Sequence, residues 1–196
     1  MRRIAITGNI GCGKSLVGRY LAELGIPVRD ADDVAREVLE AGDPVRDRVL
    51  AEFGPGILAG DGTIDRAALG REVFGDSLKR ERLNALMHPE ILRRLRDWVG
   101  AQENSAPCAV AIIPLLYEAG DESNWDRVIC VFTPADEQRR RLSARGMTEE
   151  EIEARMRAQL PQEEKMRRAD VVIFNGGSEQ LLREQVERVI KGILGG

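Results

Sequence analysis

The chain has 196 residues, 43% of them apolar and 32% charged, with a formal net charge of −4. That is an ordinary globular composition, long enough for one domain with a good core and an added insert or lid. The acidic balance argues against a general nucleic-acid binder, and no apolar run is long enough to span a membrane.

The N-terminus runs Met-Arg-Arg and goes straight into a strand, so no signal peptide is expected. The cysteines, Cys12, Cys108 and Cys130, form no CxxC pair and each lies in or beside an apolar strand pattern. They read as buried free thiols of a cytoplasmic protein. In chain order, short β-branched runs stand at residues 4–7, 27–29, 109–113, 127–132 and 171–173. Most are continuous and not alternating, as strands covered on both faces are. Helical patterns separate them. Leu16, Val17, Tyr20, Leu21 and Leu24 share one face. A later pattern runs from Leu83 through Val99 with an expected break at Pro89. Thr148 and Glu151 form a capping box, and Ser178 is placed to cap a C-terminal amphipathic helix.

The alternation of strand and helix predicts an α/β fold, a doubly wound five-stranded parallel sheet of the P-loop NTPase type. A core of residues 1–31, 106–137 and 166–196 is expected. The gap between the second and third strands is too long for one crossover helix, so residues 32–105 are expected to form a helical insert. Residues 138–165, dense in Arg and Glu, read as a mobile lid. No internal repeat is present.

The first strand leads into Gly8-Asn9-Ile10-Gly11-Cys12-Gly13-Lys14-Ser15-Leu16. This is the P-loop spacing, followed by a helix. Its glycines let backbone N–H groups turn onto phosphate oxygens, and the helix N-terminus adds its positive end. Lys14 is expected to reach the β- and γ-phosphates, and the Ser15 hydroxyl to ligate Mg²⁺.

The second strand ends in Asp30-Ala31-Asp32-Asp33. In an extended chain Asp30 and Asp32 point the same way. One of them can then orient an attacking hydroxyl or help hold Mg²⁺. The same string also suits a helix N-cap, and the two roles are compatible. No Asp follows the third strand in the Walker-B position, where Pro114-Leu115-Leu116-Tyr117-Glu118 stands. Glu118 is either a substrate contact or part of a solvated loop. His88 is read as the cap of a helix starting at Pro89, with a substrate contact as the alternative. Arg139, Arg140 and Arg141 diverge on a helix, while Arg141 and Arg145 share a face, which leaves phosphate binding or a solvated charged helix open. Arg155 and Gln159 raise the same question.

Several strings in order resemble the dephospho-CoA kinase family. They are the P-loop, Asp30-Ala-Asp32 with Arg36, Asp61 to Arg66, His88-Pro89, Pro114 to Glu118, Gln138 with Arg141 and Arg145, Gln159, Glu163 to Lys165, and Asn175-Gly176. The resemblance covers nearly the whole chain. It implies transfer of the ATP γ-phosphoryl group to the 3′-hydroxyl of dephospho-CoA, with Mg²⁺, by a core carrying a CoA-binding helical insert and a lid. It implies Asp32 as the carboxylate facing the hydroxyl, Lys14 and Arg141 over the phosphates, and Asn175 and Gly176 near the adenine. Asp30, Arg36, Arg66, His88, Leu115 and Glu118 fall to the acceptor. Departures are Asn9 and Cys12 where Gly and Ser are common, Leu16 for Thr, Gly146 where an acid is common, and Phe174 for Asp. A monomer is expected. The other readings are a different small-molecule kinase and a nucleotide-binding regulator. A GTPase is argued against, because no Asn-Lys-x-Asp string is present and Asp97-Trp-Val-Gly100 ends a helix.

Overall fold

The computed structural model describes residues 1–74 and 76–195. Gly75, inside the expected insert, and Gly196, at the end of the expected core, lie outside the described residues. The strands are β1 (Arg2–Thr7), β2 (Val28–Asp30), β3 (Cys108–Ile112), β4 (Arg127–Phe132) and β5 (Val171–Phe174). The helices are α1 (Lys14–Glu23), α2 (Ala31–Glu37), α3 (Pro44–Phe53), α4 (Arg66–Val73), α5 (Ser77–Ala101), α6 (Ala135–Ser143), α7 (Glu149–Arg157), α8 (Gln162–Arg168) and α9 (Glu179–Gly195). Two compact units divide the chain, one of Met1–Asp30 with Trp98–Gly196 and one of Ala31–Asp97.

The first unit holds a fully parallel five-stranded sheet in the order β2-β3-β1-β4-β5. This is the doubly wound P-loop sheet that the strand and helix alternation predicts. The chain runs from β1 outward to β2 on one side and later to β4 and β5 on the other. The order therefore reverses at β1, and ligands in such sheets bind beyond the carboxyl ends of the strands at that reversal. Register puts Ile4 beside Val110, and Ile6 beside both Ile112 and Ile129. These side chains form one face of the sheet, and Val17, Tyr20 and Leu21 of α1 pack on it with Leu182, Val186 and Ile190 of α9. Full burial of each large apolar side chain contributes about 1.5–3 kcal/mol, so this layer fixes where β1 ends and α1 begins. Helix α1 lies so close that a Cβ on Gly18 would stand 2.6 Å from Ile112 Cδ1. Both expected caps form: Thr148 and Glu151 complete a capping box on α7, and Ser178 Oγ accepts from Leu181 N at 3.2 Å. Among the described residues no helix is long and apolar enough to cross a membrane.

Two local expectations are corrected in the second unit. No helix starts at Pro89: α5 runs unbroken through it, so His88 lies inside a helix and is not its N-cap. A proline inside a helix removes one backbone hydrogen bond and costs about 3 kcal/mol. Met87, Ile91, Leu92 and Leu95 around it are all buried, and at about 1.5–3 kcal/mol each they outweigh that cost. Asp30 and Asp32 do not alternate along one extended segment either. The strand ends at Asp30, and Asp32 is the second residue of α2, where successive residues rotate by about 100°. Asp32 and Asp33 sit in the first turn, where negative charge complements the helix dipole.

Pro89 is exposed, so its ring contributes little packing. Pro89→Ala is expected to stabilise the protein by about 1–3 kcal/mol, by restoring a helical N–H and propensity. Thermal unfolding checks this, and a lower Tm would show that the ring itself is required.

Candidate active site

The loop after β1 turns on glycines in the left-handed half of conformational space: Gly8 at φ 140°, Gly11 at φ 78° and Gly13 at φ 90°. Space demands glycine as well. A Cβ on Gly8 would meet Val131 O at 2.4 Å, and one on Gly13 would meet Asn175 Nδ2 at 2.1 Å. With the carbonyls engaged from other directions, the loop presents backbone N–H groups at the N-terminus of α1, the arrangement that binds phosphate. Lys14 Nζ donates to Gly8 O at 2.9 Å and to Asn9 O at 3.1 Å, folding back over the loop. Ser15 is exposed one residue into α1, and Leu16 packs against the core layer.

Behind the loop is a network of neutral and charged donors. Asn175 Nδ2 donates to Cys12 O at 2.8 Å, and Thr133 Oγ1 lies 3.1 Å from the same carbonyl and 2.9 Å from Asn175 O. Arg141 Nη2 donates to Asn175 O at 2.9 Å, and its Nη1 reaches Gly11 O at 3.5 Å. Glu137 holds this guanidinium through Nε at 2.8 Å. Hydrogen bonds from Arg140 first, then Arg141, hold the Glu137 carboxyl down at about 2. The three arginines of the triplet diverge in direction. Arg141 turns to the P-loop, Arg140 to Glu137, and Arg139 to Glu149 and Glu153. Arg145 is exposed.

The ends of the charged segment are anchored in the first unit. Gln138, Leu142 and Lys165 are buried. Leu142 packs where a Cβ on Gly11 would approach it at 3.2 Å. Lys165 Nζ donates to Glu118 Oε1 and to Pro114 O, each at 2.8 Å. Burial lowers the Lys165 pKa, and Glu118 works against that shift. Glu118 is thus engaged with Lys165, and it also accepts from Leu160 N at 2.9 Å. Burial raises the Cys12 thiol, whose Sγ donates to Asn9 O at 2.8 Å, and pushes Cys130 up to about 12. All three cysteines are free and buried, so they stay protonated and act as small core residues.

The first unit holds Gly8 to Leu16, Leu115, Glu118, Arg141, Asn175 and Gly176, with Asp30 closing its β2; of these, Arg141 and Asn175 bond P-loop carbonyls directly, and Glu118 is linked to the loop through Leu160. Asp32, Arg36, Arg66 and His88 belong to the second unit. There Arg36 pairs with Asp33, and Arg66 opens α4 behind its cap Asp65. Thr133 and Gln162 escape sequence reasoning. Thr133 directly follows β4, and its place at a strand's carboxyl end is the signal that could have found it. Gln162 bonds Gln138 Nε2 at 2.7 Å and carries no sequence signal of its own. Two departures gain a reason: Gly146 takes φ 83°, which favours glycine, and Phe174 stacks at a tilt on Phe132, centroids 6.0 Å apart.

A family model described as dephospho-CoA kinase matches residues 2–180. The dephospho-CoA kinase of Carboxydothermus hydrogenoformans is 44% identical over 190 residues, which span 96% of this chain and 92% of that protein. The solved structure of TT1252 from Thermus thermophilus superposes with a TM-score of 0.80 at 39% identity, over 98% of this chain and 97% of that one. Dephospho-CoA kinase from Campylobacter jejuni does so with a TM-score of 0.73 at 28% identity, over 99% and 98%.

Glu118→Ala leaves the fully buried Lys165 ammonium without its counter-ion. It is expected to destabilise the protein by about 3–5 kcal/mol, with Lys165→Met costing less because both the charge and its desolvation go. Urea unfolding of the two variants checks the order, and equal losses would contradict it.

Proposed function

This chain belongs to the dephospho-CoA kinase family, and on that premise we propose how its own residues perform the family's reaction. The reaction is ATP-dependent phosphorylation of dephospho-CoA in coenzyme A biosynthesis. The γ-phosphoryl group passes to the 3′-hydroxyl of dephospho-CoA. An O–P bond forms at that oxygen, the bond to the β-phosphate oxygen breaks, and ADP leaves. The 3′-hydroxyl proton goes to a carboxylate.

The observation that carries the assignment is the convergence of two cations on one glycine loop. Lys14 lies on Gly8 O and Asn9 O, and Arg141 on Gly11 O and Asn175 O. Neutral carbonyls are weaker partners for these groups than phosphate oxygens. ATP can therefore draw Lys14 onto its β- and γ-phosphates and Arg141 onto the charge that develops in transfer. The backbone N–H groups of Gly11, Gly13, Lys14 and Ser15 cradle the remaining oxygens. Asn175 supports the nucleotide site by holding Cys12 O, and exposed Gly176 borders it.

Asp32 is the proposed carboxylate that orients the hydroxyl and accepts its proton. Supporting this is its exposed place in the first turn of α2, directly after the carboxyl end of β2. Ser15 offers one exposed hydroxyl oxygen, a donor that fits Mg²⁺, a hard ion that keeps several waters and binds mainly through substrate phosphates. When bound, the ion supplies neutralisation of charge on the β- and γ-phosphates. Asp32 is the second candidate to hold it. The unit of α2 to α5, with Arg36, Arg66 and His88, is proposed to bind the CoA moiety, and Asp30 and Leu115 of the first unit are proposed as further acceptor contacts. Residues 138–165 serve as the lid. A cytoplasmic monomer fits the buried reduced thiols and the family's small-molecule chemistry.

Asp32→Asn is expected to leave the ATP affinity within about twofold and to lower kcat by about 10²-fold or more, the scale of general-base loss. Steady-state ADP release with and without dephospho-CoA measures it. Wild-type rates in Asp32→Asn would reduce Asp32 to a dipole-complementing residue. Lys14→Ala is expected to lower kcat/KM for ATP while Tm changes by only a few degrees. A large loss of Tm would mean that Lys14 holds the loop and not the phosphates.

A further inference from the structure

The P-loop donates one of its backbone N–H groups to a side chain far off in sequence. Ile10 N donates to Gln159 Oε1 at 2.8 Å. The neighbouring residue makes a second contact with the same segment, Asn9 Nδ2 donating to Leu160 O at 3.2 Å. A third runs from Leu160 N to Glu118 Oε1 at 2.9 Å, the oxygen that also accepts from the buried Lys165. Residues 159 and 160 are thus tied to the loop after β1 by two bonds and to the loop after β3 by one. Pro161 follows and holds Leu160 to extended backbone, which stiffens the tie.

Asn9 shows that the tie has a cost. It is 5% exposed, and its Oδ1 is buried without a partner while Nδ2 serves Leu160. A buried amide oxygen left unpaired is unfavourable, so plain packing at this position would be served better by an apolar side chain. The acceptor at Ile10 is also specific in charge. Gln159 provides a carbonyl oxygen of no net charge beside a loop built for phosphates. A carboxylate there would accept the same N–H but repel the nucleotide.

We propose that Gln159 is a positioning residue for phosphoryl transfer, clasping the end of the charged segment 138–165 to the first half of the P-loop, with Asn9, Leu160 and the Lys165–Glu118 pair fixing where the clasp closes. The proposal rests on the kinase reading above. It assigns to this one neutral side chain the register between the loop and the segment that carries Arg141 and Arg155.

The test uses the full-length chain and three variants. Gln159→Met keeps length and packing but loses the acceptor. It is expected to speed hydrogen exchange at the Ile10 amide and to lower kcat about tenfold or more, with KM for ATP within about twofold, as misplacement without lost binding does. Asn9→Ala acts on the adjacent bond and is expected to lower kcat in the same direction without loss of Tm. Gln159→Glu keeps the acceptor and is expected to restore slow exchange at Ile10 while raising KM for ATP about tenfold or more by repulsion from the phosphates. Unchanged exchange at Ile10 in Gln159→Met, or unchanged kcat in both Gln159→Met and Asn9→Ala, overturns the clasp. Wild-type turnover on dephospho-CoA is run alongside. Its absence would remove the kinase reading, whereas its presence with wild-type kcat in the variants would remove the clasp alone.

Discussion

The site depends on one constraint: the carbonyls of a tight backbone turn must be satisfied from outside so that its N–H groups stay available. Between β1 and α1 the carbonyls of Gly8, Asn9, Gly11, Cys12 and Gly13 find donors. Gly8 O and Asn9 O take Lys14, Gly11 O takes Arg141, Cys12 O takes Asn175 and Thr133, and Gly13 O takes the N–H groups of Leu16 and Val17. Each of those donors comes from an element that the sheet fixes. Thr133 follows β4, Asn175 follows β5, and Arg141 rides on α6. The packing of α1 and α9 on one face of the sheet thereby sets the geometry of a loop several residues away. A loop this over-determined loses little conformational freedom on binding phosphate, which is how preorganisation raises affinity and rate.

Charge follows the same arrangement. Lys14 and Arg141 engage the P-loop, and Lys165 engages the segment after β3. Two are held by carboxylates, Glu137 for Arg141 and Glu118 for Lys165. These pairs hold the cations in place beside a counter-charge. Lys14 rests on the neutral carbonyls Gly8 O and Asn9 O, which makes it the cation most readily handed to a phosphate. The buried thiols add no charge, because burial keeps Cys12 and Cys130 protonated. Cys12 can therefore stand in a phosphate loop without repelling its ligand.

Much of this is legible in the amino-acid sequence, and the reasons differ by element. The strands, the P-loop and the capped helices α7 and α9 are local patterns, readable from spacing and from one or two side chains. The family resemblance rests on strings spread along the chain, so it survives the five departures. What the sequence misreads is decided by burial. Pro89 is a strong local stop signal, yet the apolar residues on either side of it carry the helix through. The Asp30-Ala-Asp32 string looks extended until the strand-to-helix junction places Asp32 on a helix. Thr133, Gln162 and the engagements of Asn175 and Glu118 depend on partners far off in sequence, such as Cys12 and Lys165. No local pattern encodes those distances.

A P-loop held in this way moves one phosphoryl group onto one hydroxyl of one acceptor. The most direct measurement is product mass, with the phosphorylated position read by phosphorus NMR, after incubation with Mg²⁺-ATP and dephospho-CoA. Adenosine and AMP are run as competing acceptors. The account predicts gain of a single phosphoryl group on dephospho-CoA at the 3′ position and none on the others. Phosphorylation of AMP or adenosine instead, or ATP hydrolysis at a rate indifferent to acceptor, would contradict it.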